Sequence, residues 1–115
     1  MAKQQSFEIE ITYPAEKRYQ EEILVYLVDN FSIKRVIEID ANIVALISTL
    51  SLMPKRGTLE PNLNTYPQQF RFIIFKETRN FEIKIVYFIN QSIRKVYITD
   101  FFPVLMHPDK LRYGK

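Results

Sequence analysis

Apolar and polar residues alternate near the beginning of the chain. Across residues 6–13 the apolar positions begin at Phe7, and this two-residue period is typical of a half-buried strand over 7–11. Pro14 ends the alternation and suits the first turn of a helix. From about 14 to 29 apolar residues recur every three or four positions, which predicts an amphipathic helix. Its predicted buried face holds Tyr19, Ile23, Tyr26 and Leu27.

A break at Asp29–Ser32 separates this helix from a second apolar pattern. Ser32 can cap a helix, and helical spacing continues for several turns beyond it. Because the segment is rich in β-branched residues, a strand over Lys34–Ile39 is the competing interpretation. One helix from about 33 to 52 is preferred, since the stripe keeps its phase past Asp40. The predicted stripe consists of Ile33, Val36, Ile37, Val44, Ile47 and Leu50.

The second half of the chain predicts a loop followed by strands. Residues 53–69 include three of the six prolines and favour a loop. The strand-like segments that follow are Phe70–Glu77, Glu82–Asn90 and Arg94–Phe102, with a short tail over Pro103–Lys115. Their short links imply hairpins.

The order of these elements predicts an α+β fold. It has an N-terminal strand, a helical hairpin and a three-stranded antiparallel meander, forming one sheet packed on the helices. The sheet face away from the helices is then free to carry a site.

Length and composition indicate one globular domain over 1–115. Hydrophobic residues make up 47% and charged residues 25% of the chain, which is an ordinary balance for a protein with a core. Without cysteine there can be no disulfide, thiolate nucleophile or cysteine-ligated zinc site. A single histidine, His107, excludes a two-histidine metal site. No stretch resembles a signal peptide or a membrane span, so the expected compartment is the cytoplasm, and no cofactor is expected.

Charge is distributed unevenly along the chain. Residues 1–52 carry a net charge of −3 and residues 53–115 a net charge of +6. Such asymmetry favours an anionic partner for the C-terminal half, although a solvated surface with chance clustering explains it equally well.

Six strings carry a resemblance to a known family. They are Ala15–Ile23 opening the first helix, Asp29–Phe31 closing it, Leu50–Gly57 ending the second helix, Ile83–Ile89 and Val96–Pro103 in the hairpins, and Met106–Asp109 after the last strand. Their joint order, over nearly the whole chain, resembles the RelE/ParE superfamily of bacterial toxins, which includes plasmid stabilisation proteins.

The resemblance implies the toxin of a type II toxin–antitoxin system, bound in a hetero-oligomer by a cognate antitoxin protein. RelE-like members are ribosome-dependent, metal-independent mRNA endonucleases, or mRNA interferases, whose partners are the ribosome and mRNA. ParE-like members inhibit DNA gyrase by protein binding, without nuclease activity. A non-enzymatic small binding domain is the third possibility.

The resemblance also implies candidate site residues. Cleavage by RelE-like members requires activation of the 2′-hydroxyl, stabilisation of the phosphorane and protonation of the leaving oxygen. Lys84 falls where the family usually has the arginine of an Arg-x-x-Tyr pattern, here ending at Tyr87. The candidate catalytic residues are Lys84, His107 and Tyr97, and the candidate nucleic-acid-binding residues are Lys55, Arg56, Arg71, Arg94 and Lys95.

Each of these side chains has a simpler interpretation as a solvated surface group. A nuclease site built on Lys84 requires this residue on the open sheet face, close to at least one of Lys55, Arg56, Arg71 or His107. The apolar stretch Phe101–Leu105 departs from the basic or histidine-containing stretch of many family nucleases, and favours instead a surface that docks an antitoxin or another partner.

Overall fold

The computed structural model describes residues 6–107 and has an α+β architecture, as the sequence predicts. A five-stranded mixed sheet has the strand order β1-β5-β4-β3-β2, and only the β1–β5 pair is parallel. The elements are β1 Glu8–Ile11, α1 Tyr13–Arg18, a π-helical segment Tyr19–Ile23, α2 Leu24–Asn30, α3 Ile33–Ser48, β2 Thr58–Leu59, β3 Arg71–Thr78, β4 Phe81–Asn90 and β5 Lys95–Met106. Short 3-10 turns occupy Thr49–Ser51, Pro54–Arg56 and Pro61–Leu63.

The first helical arm runs without a gap from Tyr13 to Asn30. Pro14 lies in its first turn, where a missing N–H costs nothing. Ile23 and Leu27 are fully buried, in agreement with the predicted face. The sequence pattern gave no sign of the π-helical segment, because one extra residue in a turn barely shifts the apolar period.

The second arm is a helix, as preferred over the strand interpretation. The side chain of Ser32 accepts a hydrogen bond from the backbone N–H of Arg35 and caps α3. The predicted stripe was partly wrong, because Ile33, Ile37 and Val44 are 63%, 64% and 55% exposed. The α3 residues that face the core are Val36, Ile39, Ile43 and Ile47. Two apolar stripes run along this helix, and periodicity alone did not decide which one is buried.

The strands differ from the prediction at their ends and at one edge. β5 continues through Pro103 to Met106, so the predicted tail is wrong from 103 to 106; residues 108–115 lie outside the described part. β1 pairs only with Lys95–Ile98, and a proline is tolerated where a strand has no neighbour on one side. β2 was not predicted because it is a two-residue strand inside the proline-rich loop.

Alternation along the strands gives the sheet two different faces. Phe81, Ile83 and Ile85 of β4 are completely buried beneath the helices. Lys84 and Phe88 project from the opposite face, which we call the open face, since successive strand residues point to opposite sides. No helix within residues 6–107 is long and apolar enough to cross a membrane.

Candidate functional site

Lys55 and Arg71 meet at one end of the sheet, where β3 begins and β4 ends. With Gln69, Ile89 and Gln91 they line a pocket of about 150 Å³, which we call the Lys55–Arg71 pocket. Two cationic side chains and two amides can together bind an anionic oxygen group.

The walls of this pocket depend on a buried tyrosine. Tyr87 is completely buried, and its hydroxyl donates to the carbonyl of Pro54 at 2.6 Å. The same hydroxyl accepts the N–H of Gly57 at 3.0 Å. Burial raises the pKa of Tyr87, so this hydroxyl remains protonated and holds the Pro54–Gly57 turn against the sheet.

Arg71 joins the turn to the pocket. One terminal nitrogen donates to the carbonyls of Gly57 at 2.8 Å and Lys55 at 3.3 Å. Its other guanidinium N–H groups make no hydrogen bond to residues 6–107, and neither does the ammonium group of Lys55. Arg71 is therefore oriented by backbone and still has donors to offer an anion.

Lys84 lies on the open face, but a carboxylate holds it. Its Nζ is 2.8 Å from Oε1 of Glu60 and 4.4 Å from the centre of the Phe72 ring. Glu60 is only 5% exposed, and it also accepts the N–H of Asn62. The hydrogen bond from Lys84 lowers the pKa of Glu60, with help from Asn62 and against the effect of burial. The ion pair ties the Pro61–Leu63 turn to the open face.

Lys84 and Arg71 do not share a site. Arg71 pairs with Tyr87 and Lys84 with Ile74. They are three ladder positions apart, about 10 Å along the strands, and on opposite faces. Among the described residues, the groups in contact with the Lys84 ammonium are Glu60 and Phe72. Arg71 is therefore not part of a site on Lys84, whereas Arg56 lines a pocket that also includes Phe72.

Tyr97 and Lys95 lie on the open face near the start of β5. The ring of Tyr97 stacks on Phe88, with 5.1 Å between the ring centres. Lys95 forms an ion pair with Glu10 at 2.8 Å and lies 5.4 Å from the Tyr97 ring. Tyr97 is level with Phe88, so it is about 13 Å from Lys84 along the strand direction, and the two side chains have different partners.

The remaining candidates are dispersed. Arg56 donates to the hydroxyl of Thr49 at 2.8 Å. Arg94, with a φ of 53°, is in the β4–β5 turn and stacks on Phe7 at 4.6 Å. His107 lies beyond the far end of β5, roughly 40 Å from Lys95 at about 3.3 Å per residue, and its backbone N–H bonds to Asn80. The described structure therefore brings Lys55 and Arg71 into one pocket. Arg56 is near the same Tyr87 and Arg94 is in the turn that carries Gln91, whereas His107 follows the far end of β5.

Three residues of these sites are not marked by any sequence pattern: Glu60, Gln69 and Gln91. All three lie in loops, where neither apolar period nor charge runs mark a position. The clue to Glu60 was that it is the only acidic residue between 53 and 76, so it was the natural partner for a half-buried lysine.

Protein-family models, curated proteins and solved structures gave no match to this chain. Within residues 6–107 no group of three histidine, aspartate or glutamate side chains is placed to share a metal ion.

The Glu60–Lys84 pair should make stability depend on acid. Because its pKa is lowered on folding from a usual value of 4.5, the stabilisation is fully present above about pH 4.5. It is lost as pH falls through the lower folded value. Glu60→Gln should lower the free energy of unfolding by about 1–2 kcal/mol at pH 7. This value lies between those for an exposed and a buried ion pair, because Lys84 keeps some contact with water.

Urea unfolding at pH 7 and pH 3 measures this difference. The variant and the wild type should differ less at pH 3. Glu82→Gln is the matched control. Glu82 lies on the same strand and face as Lys84 and forms no ion pair with residues 6–107. An equal loss at both pH values would contradict the role of the charge.

Proposed function

We propose that this chain is a toxin of RelE/ParE type whose Lys55–Arg71 pocket binds and cleaves mRNA on the ribosome. The observation that supports it best is the convergence of Lys55 and Arg71 on one polar pocket. The whole-chain resemblance supplies the toxin class, and the positive C-terminal half is compatible with an RNA partner.

The pocket residues suggest a separate role for each cationic side chain in RNA cleavage. The 2′-oxygen would form a bond to phosphorus as the bond to the 5′-oxygen breaks, leaving a cyclic phosphate. Arg71, which is always protonated, would stabilise the added charge on the phosphorane. Lys55, the other cationic side chain that lines the pocket, would protonate the leaving 5′-oxygen. The group that accepts the 2′-hydroxyl proton would come from the ribosome or the message, in keeping with ribosome dependence.

A toxin that binds protein without cutting RNA is the second candidate. It is favoured by exposed apolar side chains, with Phe102 and Val104 of β5 45% and 47% exposed. These residues belong to the apolar stretch that departs from the family nucleases, and exposed apolar groups mark protein-binding surfaces. In this case the partner would be DNA gyrase, and the pocket would carry no chemistry.

Induced expression of the chain should slow bacterial growth, and coexpression of an antitoxin encoded beside it should restore growth. Colony counts after induction measure the effect, with a copy carrying an early stop codon as control. Normal growth at high levels of folded chain would contradict the toxin proposal and favour a non-enzymatic binding domain. The neighbouring reading frame should encode a small protein that copurifies with this one.

A further inference from the structure

A second cavity lies on the opposite side of the sheet from Lys84, between the helices and β5. It has a volume of about 260 Å³. Leu24, Ile43 and Phe101 are among the apolar residues that line it, and Val44 is at its exposed rim. A water molecule needs about 10–15 Å³ on the same measure, so the cavity has room for a short alkyl chain.

The polar side of this cavity is built around Tyr19. This residue begins the π-helical segment, and such segments are frequent at functional sites. Its hydroxyl donates to Oδ1 of Asp40 at 2.5 Å, while its ring packs on Phe101 with 4.9 Å between centres. Burial and the neighbouring Asp40 carboxylate keep the pKa of Tyr19 well above its usual value, so the hydroxyl remains a donor and Asp40 remains the acceptor.

Two carboxylates at the cavity have no counter-ion among residues 6–107. Asp40 and Glu16 both line the cavity, and neither forms a salt bridge within residues 6–107. Tyr19 uses one oxygen of Asp40, and the second has no hydrogen bond in the described part of the chain. An apolar cavity with a carboxylate that has no cationic partner in the described part of the chain suits a ligand with a hydrocarbon body and a cationic end.

We propose that this cavity binds a small alkylammonium ion. The hydrocarbon chain lies among Leu24, Ile43 and Phe101, and the ammonium group donates to Asp40 with Glu16 nearby. A carboxylate ligand of the same length is rejected, because it would meet two like charges. The walls come from the first helical arm, α3 and β5, so a bound ligand stabilises the packing of the helices on the sheet.

Three probes of matched length test this proposal: hexylammonium, 1-hexanol and hexanoate. Each is titrated at pH 7 into ¹⁵N-labelled protein while amide shifts are followed by NMR. Hexylammonium should bind about tenfold more tightly than 1-hexanol, as one charge-assisted contact allows, and hexanoate most weakly. Amides near Tyr19, Ile43 and Phe101 should move. Equal affinity for the three probes, or shifts confined to other regions, would overturn the proposal.

Two matched changes on α3 locate the site. Val44→Phe should weaken binding of all three probes at least fivefold by filling the rim, whereas Ile37→Phe, at an equally exposed position outside the cavity, should not. Asp40→Asn should reduce hexylammonium binding to that of 1-hexanol. If that variant does not fold, Glu16→Gln should lower the ammonium preference instead. Equal effects of the two phenylalanine variants would refute the location. Growth arrest is not a readout here, so this test and the toxin test can fail independently.

Discussion

Gly57→Ala is expected to destabilise the fold by about 3 kcal/mol, because a side chain has no space at this position. A Cβ there would lie 2.5 Å from the hydroxyl of Tyr87 and 2.7 Å from the carbonyl oxygen of Phe72. The backbone of Gly57 has a φ of −76°, which alanine adopts freely. The cost is therefore steric, and it falls on backbone of β3 and on a buried ring that cannot move aside.

Thermal unfolding gives a direct measurement. At about 4–8 °C per kcal/mol for a domain of this size, Tm should fall by roughly 10–25 °C. Thr58→Ala is the matched control, since the neighbouring Thr58 is exposed and should change stability by less than about 0.5 kcal/mol. An unchanged Tm for Gly57→Ala would mean that the Pro54–Gly57 turn is not packed on Tyr87 as described.

Periodicity predicted the fold class because it reports which faces are buried. The alternation before Pro14 and the helical spacing after it are strong signals, and both elements are present at nearly the predicted bounds. The phase of α3 was less predictable. Ile37 and Ile39 are equally apolar, but the first is 64% exposed and the second is completely buried. Only the position of the sheet decides between them, and that contact is tertiary.

The candidate sites were harder to predict, since cationic residues give no information about which face or end of a sheet they occupy. Lys84 was placed correctly on the open face, but its partner Glu60 comes from a loop that no pattern positions. Arg71 was one of four candidates for a position near Lys84, and the register places it three positions away on the other face. A register shift of one position would move Arg71 to the same face as Lys84. Residue types alone do not determine this register.

Lys55 and Lys84 distinguish a nuclease site in the Lys55–Arg71 pocket from one on the open face. Lys55 is exposed and makes no hydrogen bond through its ammonium group within residues 6–107. Lys84 is half-buried and paired with Glu60. If the Lys55–Arg71 pocket is the nuclease site, a change at Lys55 should affect chemistry without affecting stability. A change at Lys84 should do the opposite, because it leaves the buried Glu60 carboxylate without its cationic partner.

Lys55→Ala should therefore lower cleavage of ribosome-bound message by about 10²-fold, the scale of losing one preorganised donor. It should leave the unfolding free energy within about 0.5 kcal/mol of the wild type. Lys84→Ala should retain cleavage below its melting temperature but lose about 1–3 kcal/mol of stability. Primer extension and urea unfolding on both variants measure the two quantities.

If Lys84→Ala abolishes cutting and Lys55→Ala does not, then Glu60 must release Lys84 during the reaction, and the site lies on the open face. If neither the wild type nor either variant cuts while all three arrest growth, the nuclease proposal fails. Arrest would then arise from protein binding, for which the exposed Phe102 and Val104 side chains are the first contacts to change.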